Sequence, residues 1–199
     1  MNGKECAGGQ GFAPTSLSQH TADPSLVGSS AHFWLGGSHR YSNVMWWRHL
    51  QDGAPKATKY RYEFYVYMKR PDLPEALEFD VNQSAKGIRW VMGTECNFKG
   101  TGRWDIWDAN AHWVPTPVSC DTFPANTWTH VVWNLERTSD QVHYVSVEVN
   151  GTVHNVDMYG RGEKNWPWDG ELNVAFQMDG DVNQDNFDVW IDQVSLTGW

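Results

Sequence analysis

Apolar and polar residues alternate with a period of two along most of the chain, and no stretch carries the stripe of an amphipathic helix. The alternation predicts strands over residues 31–35, 43–49, 59–69, 76–83, 87–97, 103–108, 128–137, 142–149, 152–159, 172–179 and 187–197. Turn chemistry separates them. Asn150-Gly151, between two alternating segments, is a hairpin signal, because such tight turns need positive φ at both central residues. Residues 138–141 and 99–102 supply two more turns. Residues 1–30, rich in Gly, Ser, Pro and Thr, predict an irregular N-terminal segment, followed by one domain over residues 31–199. So many strands without helices mean an all-β sandwich or a barrel.

The same period assigns faces. Leu77, Phe79 and Val81 point one way, so Glu78, Asp80 and Asn82 point the other. Val174, Phe176 and Met178 belong to the core, which turns Gln177 and Asp179 outward. Tyr62, Phe64, Val66 and Met68 belong to the core, which turns Glu63, Tyr65 and Tyr67 outward. Trp46 and Trp47 are adjacent on a strand, so only one of them faces the core. Trp104 and Trp107 differ in parity, so one of them is exposed. Neighbouring strands that each expose polar and aromatic residues form a continuous wet face. The expectation is that Glu63, Tyr65, Tyr67, Glu78, Asp80, Asn82, Gln177 and Asp179 share such a face, curved into a cleft.

Composition sharpens this picture. The chain has 199 residues, of which 13 are Trp, 7 Tyr and 8 Phe, more rings than a core requires. Indoles set among carboxylates and amides suit stacking on flat, hydroxylated ligands, of which sugars are the commonest; the competing reading is aromatic packing inside a sandwich. Trp166 and Trp168 flank Pro167 in a Gly- and charge-rich connection. Proline stiffness would hold both indoles out for a ligand at low entropic cost. They serve equally well as a plug at the end of the sandwich.

A formal net charge of −9 without any Lys/Arg cluster argues against nucleic acid and against an anionic membrane surface. The apolar runs are too short to span a bilayer, so no membrane insertion is expected. The eight His show no metal-ligand spacing, and the acid-rich stretch 179–186 lacks the pattern of an EF-hand loop. No cofactor is required on these grounds.

Cys96 and Cys120 flank a Gly- and Trp-rich stretch, and a bridge between them would stabilise the fold by about 3 kcal/mol through loop closure. Cys6 is left over. The alternative is three buried thiols. The bridge implies an oxidising compartment, hence a secreted protein whose leader is absent from this chain, since the first ten residues carry no apolar run.

Four short segments carry a resemblance: residues 76–83, Gly93-Thr-Glu-Cys96, Phe176-Gln-Met-Asp-Gly180 and residues 189–196. Together they resemble the concanavalin A-like lectin/glucanase superfamily, over roughly residues 30–199. More narrowly they resemble secreted bacterial modules that accompany carbohydrate-active and immunoglobulin-like domains. The resemblance implies a jelly-roll β-sandwich of two antiparallel sheets with a concave polar and aromatic face. A galactose-binding-like sandwich has similar strand content and is distinguished by strand order. Glucanases of the superfamily carry Glu-x-Asp-x-Glu on one strand. The match puts Glu78 at the nucleophile and Asp80 at the helper position. Asn82, or Gln83 in a bulged form, falls at the acid/base position and cannot donate a carboxylic proton. Asp179 or Glu63 would then have to supply the second carboxyl. The resemblance also implies Asp192 as a ligand of a structural calcium.

These observations point first to a secreted, monomeric carbohydrate-recognition module that binds a polysaccharide or oligosaccharide. The alternatives are an endo-acting glycoside hydrolase or polysaccharide lyase on the same face, and a structural or adhesive sandwich.

Overall fold

A computed structural model describes residues 2–3, 13–50, 53–121, 123–183 and 185–199. Cys6 lies outside them. In chain order the strands are β1 (Asn2–Gly3), β2 (Thr15–Thr21), β3 (Ser30–Leu35), β4 (Asn43–His49), β5 (Lys59–Met68), β6 (Ala76–Ala85), β7 (Ile88–Met92), β8 (Thr94–Asn97), β9 (Arg103–Trp107), β10 (Trp113–Ser119), β11 (Thr127–Arg137), β12 (Gln141–Val149), β13 (Thr152–Arg161), β14 (Glu163–Lys164), β15 (Leu172–Asp179) and β16 (Phe187–Gly198). The described residues contain no helix, and so none long and apolar enough to cross a membrane.

Two antiparallel sheets make the sandwich. A nine-stranded sheet runs β1-β4-β15-β6-β8-β9-β10, with β7 on the second half of β6 and β14 beyond it. A seven-stranded sheet runs β13-β12-β11-β5-β16-β3-β2. The inward residues of both meet in one aromatic core. Phe64 of the second sheet stacks on Phe79 of the first, centroids 4.3 Å apart. Phe176 continues the line to Phe33, and Trp104 carries it to Trp133 at 5.6 Å. Offset and edge contacts of this kind add to the area that the rings bury.

The expected strands form within a residue or two of their predicted bounds, with the short β1 and β14 added to them and three larger differences. Residues 87–97 divide at Gly93 into β7 and β8. The irregular segment predicted for residues 1–30 contains β2, a polar strand that extends the second sheet at its edge. Residues 113–119 form β10 although Pro115 and Pro117 interrupt the pattern. The reason is position: β10 is an edge strand, where an outward nitrogen needs no hydrogen. The Asn150-Gly151 turn takes φ of 50° and 83°, as its hairpin requires.

Cys96 and Cys120 are bonded, with Cα atoms 5.5 Å apart. The bond ties the end of β8 to the residue after β10. It therefore anchors the β9–β10 hairpin, which carries part of the groove described next.

Candidate functional site: a groove on the nine-stranded sheet

The groove lies on the outer face of the nine-stranded sheet, and register builds it. Across the strands, Trp47 of β4 stands opposite Ala175 of β15, which stands opposite Asp80 of β6. Val81 pairs with Met92 and Glu78 with Glu95, so Asp80 faces Gly93. Gly93 accepts a hydrogen bond from the Trp107 amide at 3.1 Å, and Trp107 pairs with Trp113 of β10. The row therefore reads Trp47, Ala175, Asp80, Gly93, Trp107, Trp113. Two small residues flank the carboxylate, and indoles stand beyond them on both sides. Adjacent strands are about 4.8 Å apart, so the floor between the walls is roughly four strand spacings wide.

Gly93 is needed here. A Cβ on it would lie 3.1 Å from Trp107 Cβ and 3.2 Å from Trp113 Cη2. The hollow it leaves encloses about 260 Å³, lined by Met45, Glu78, Asp80, Asn82, Arg89, Val91, Gly93, Trp107 and Trp113. Trp107 and Trp113 meet at 69° with centroids 5.1 Å apart, forming a corner.

One row away, Met45, Gln177, Glu78, Glu95 and Asp105 cross the same sheet in register. Gln177 Nε2 donates to Glu78 Oε1, and to Asp179 Oδ1 at 2.9 Å. Asn97 Nδ2 donates at 3.2 Å to both Glu95 Oε1 and Asp105 Oδ2. Thr101 Oγ1 donates to Asp105 Oδ1 at 2.8 Å. Glu78, Asp80, Glu95 and Asp105 are all buried. With Asp179, five carboxylates thus share one face.

Their acidity follows. Loss of water pushes the Glu95 carboxyl up to about 8, with the Asp179 and Asp105 charges adding to the shift. Desolvation pushes Asp80 up to about 7 against the Thr94 amide and Arg89. Asp179 also rises to about 7, from burial first and then from Asp80 and Glu75, against the Gln177 hydrogen bond. Asp105 moves upward as well, again because it is buried.

The expected residues do not all assemble. Glu78, Asp80, Asn82, Gln177 and Asp179 share this face as predicted. Glu63, Tyr65 and Tyr67 do not join them. They lie on β5 in the seven-stranded sheet, so their outward side chains look away from the groove, across the thickness of the sandwich. Parity on β5 holds, but it says nothing about which sheet β5 enters. There, Tyr65 stacks on His130, which bonds Glu63, and Tyr67 meets Trp190 edge-on. Glu63 consequently cannot serve as a second carboxyl beside Glu78.

Trp166 and Trp168 are in T-shaped contact at 5.5 Å, and Trp168 is 61% exposed. Arg89, a lining residue of the groove, lies over the Trp166 ring at 4.6 Å. The pair is therefore next to the Arg89 end of the groove and outside the hollow itself. Asp192 is elsewhere. It lines a separate cavity of about 400 Å³ at the mouth between the sheets, with Ile191 and Leu196 from one sheet and Val174 and Arg48 from the other. Its oxygens accept the amides of Leu26 at 2.7 Å and Gln193 at 2.8 Å. No group of three or more His, Cys, Asp or Glu suited to a metal occurs among the described residues. A carboxylate already filled by two N–H donors, without acidic companions, does not fit the oxygen-rich shell that calcium takes.

Arg89, Trp107 and Trp113 line the hollow, with Trp47, Glu95 and Asp105 in the cross-strand rows beside it, and sequence reasoning did not single them out as a set. Strand parity does turn Trp47 and Trp107 outward. Their meeting around Asp80 depends on pairing between distant strands.

The fold defined by these two sheets is a jelly-roll sandwich. No family model matches the sequence, and no curated protein matches it either. In structure the chain is similar to alginate lyase Aly36B in complex with alginate trisaccharide, at a TM-score of 0.56 and 12% identity, covering 85% of this chain and 82% of that one. It is similar to cellulose induced protein Cip1, at 0.54 and 12% identity, covering 98% and 91%. It is also similar to peanut lectin, at 0.50 and 10% identity, covering 97% and 95%. At such identities the likeness is one of fold.

Proposed function

We propose that the protein is a secreted, monomeric carbohydrate-recognition module that binds a polysaccharide chain in the groove of the nine-stranded sheet. The observation that carries this reading is the row Trp47, Ala175, Asp80, Gly93, Trp107, Trp113. Indole walls supply apolar faces for sugar rings, and Asp80 and Asn82 supply acceptors for hydroxyls at the floor. Floor positions along β6 repeat every ~6.7 Å, so Glu78, Asp80 and Asn82 extend the groove along the strand for more than one sugar ring. Similarity in fold to an alginate lyase, a cellulose induced protein and a lectin supports a glycan ligand. The disulfide supports export. Titration calorimetry against a polysaccharide panel tests the reading. A binder should emerge whose affinity falls tenfold or more in Trp107→Ala or Trp113→Ala, about the worth of one aromatic contact. If every binder is indifferent to both substitutions, the groove is not the site.

A second reading, hydrolysis or elimination on the same face, has one observation in its favour. Glu78 and Glu95 are direct cross-strand partners, which puts their Cβ atoms about 4.5–5.5 Å apart. A carboxyl raised to about 8 beside another carboxyl is also the division of labour of an acid and a nucleophile. Against this, Glu95 is buried behind Glu78 and does not line the hollow. Glu78→Gln separates the two readings. A nucleophile would lose orders of magnitude in product release at unchanged affinity, whereas a binding carboxylate loses affinity alone.

A further inference from the structure

The floor of the hollow on β6 presents two carboxylates and an amide, Glu78, Asp80 and Asn82. Asp80 is 6% exposed, and its Oδ1 receives one long hydrogen bond, 3.3 Å from the Thr94 amide. Asn82 Oδ1, on the same strand and in the same lining, is buried without a donor among the described residues. Behind Asp80 stand further carboxylates rather than bases. The one cation at the hollow, Arg89, is held over Trp166 and lies 3.5 Å from Glu163. A buried oxygen without a donor is costly, and a carboxylate as little exposed as Asp80 is costly too; both costs are recovered when a ligand brings N–H donors and a positive charge.

The walls favour the charge. Trp107 and Trp113 turn two indoles at 69° into an open corner, and Gly93 removes the only side chain that would separate the corner from Asp80. Perpendicular aromatic faces closed by a carboxylate are the arrangement that holds an ammonium group: the ring quadrupoles attract the cation and the carboxylate takes its N–H bonds. Conversely, a sugar carboxylate in this hollow would meet Glu78 and Asp80, with only Arg89, already engaged with Trp166 and Glu163, to offset the repulsion.

We infer that the corner formed by Trp107, Trp113 and Asp80 reads a protonated amine on a sugar ring, so that the preferred ligand is a glycan bearing free amino groups. This rests on the groove being the glycan site. Burial holds the Asp80 carboxyl up at about 7, with the Thr94 amide and Arg89 acting against it, and a cation on a ligand would draw it back down.

Calorimetry with four matched oligosaccharides tests it: a glucosamine chain, its N-acetylated form, a glucose chain and a uronate chain. The glucosamine chain is expected to bind at least tenfold tighter than the glucose and N-acetylated chains, and the uronate chain weakest. Asp80→Asn should remove the preference, lowering glucosamine-chain binding about tenfold more than glucose-chain binding. If Asp80→Asn does not fold, Trp113→Leu, on an edge strand, should lower glucosamine binding about tenfold. The preference should also persist at about 1 M salt, where attraction to the net charge of the surface is screened out. A glucose or uronate chain binding as well as the glucosamine chain overturns the inference and leaves glycan binding intact. Equal competition by poly-lysine, or loss of the preference in high salt, overturns it as unspecific charge attraction. A panel without any binder removes both readings.

Discussion

Raising the pH from about 5 to about 8 is expected to destabilise the protein, the reverse of what a chain rich in paired carboxylates does. In the unfolded chain Glu95 has the ordinary affinity for a proton and is ionised above about 4.5. In the folded protein it keeps its proton to about 8, because burial and the Asp179 and Asp105 charges oppose ionisation. The folded state therefore binds more protons across that window, so stability is complete below it and falls as pH rises through it. The difference is about 3.5 pH units, at about 1.4 kcal/mol per unit, so this one ionisation removes on the order of 5 kcal/mol. That is a large share of the ~5–15 kcal/mol that holds a typical domain. Asp80 and Asp179, both raised to about 7, act in the same direction. Glu63 and Glu136, held low chiefly by Arg61 and Lys59, act oppositely, and only as pH drops below the ordinary carboxylate range. Urea titrations followed by Trp fluorescence should show the midpoint falling from pH 5 to pH 8. Glu95→Gln keeps the shape and removes the titration, so its curve should be flatter and lie above wild type at pH 8. A wild-type midpoint that rises or stays level over this range, or a Glu95→Gln variant less stable than wild type at pH 8, refutes the argument.

Three further outcomes follow from the same geometry. Replacing Cys96 and Cys120 together by Ala opens a loop with a sequence separation of 24 and should cost about 3.5 kcal/mol, read as a lower urea midpoint. Tyr65→Ala, on the opposite sheet, should leave polysaccharide affinity within about twofold; a tenfold loss would mean that the ligand wraps both faces. Gly93→Ala should push on Trp107 and Trp113 and lower affinity severalfold, with the near-ultraviolet spectrum of the core retained, because the new Cβ enters the hollow and not the space between the sheets.

What the sequence made legible follows from what a period of two encodes. It encodes which side of its own strand a residue occupies, and there it succeeds: Trp46 is buried and Trp47 is turned to the groove, and Trp104 is buried while Trp107 forms a wall. Register slips that would bury Glu78, Asp80 and Asn82 between the sheets are penalised on every one of those residues, so their common face was safe. The disulfide was legible for a similar reason, since two cysteines around one hairpin leave few alternatives.

Alternation is silent about sheet membership. An outward tyrosine on β5 and an outward glutamate on β6 have identical signatures, yet the chain crosses from one sheet to the other between Met68 and Ala76. In a sandwich, consecutive strands in opposite sheets place their outward faces at opposite surfaces, so Tyr65 and Glu78 are as far apart as the fold allows. The partners that do surround Asp80 come from β4, β9, β10 and β15, and long-range antiparallel pairing alone brings them together. Composition has the same limit. Thirteen tryptophans announce aromatic work without dividing it. Trp46, Trp104 and Trp133 fill the core, Trp190 is buried on the outer side of the second sheet beneath His32, and Trp47, Trp107 and Trp113 are left to the groove. Sequence parity can nominate an outward indole, but only register can say that Trp107 and Trp113 meet beside one carboxylate, and the chemistry of this site resides in that meeting.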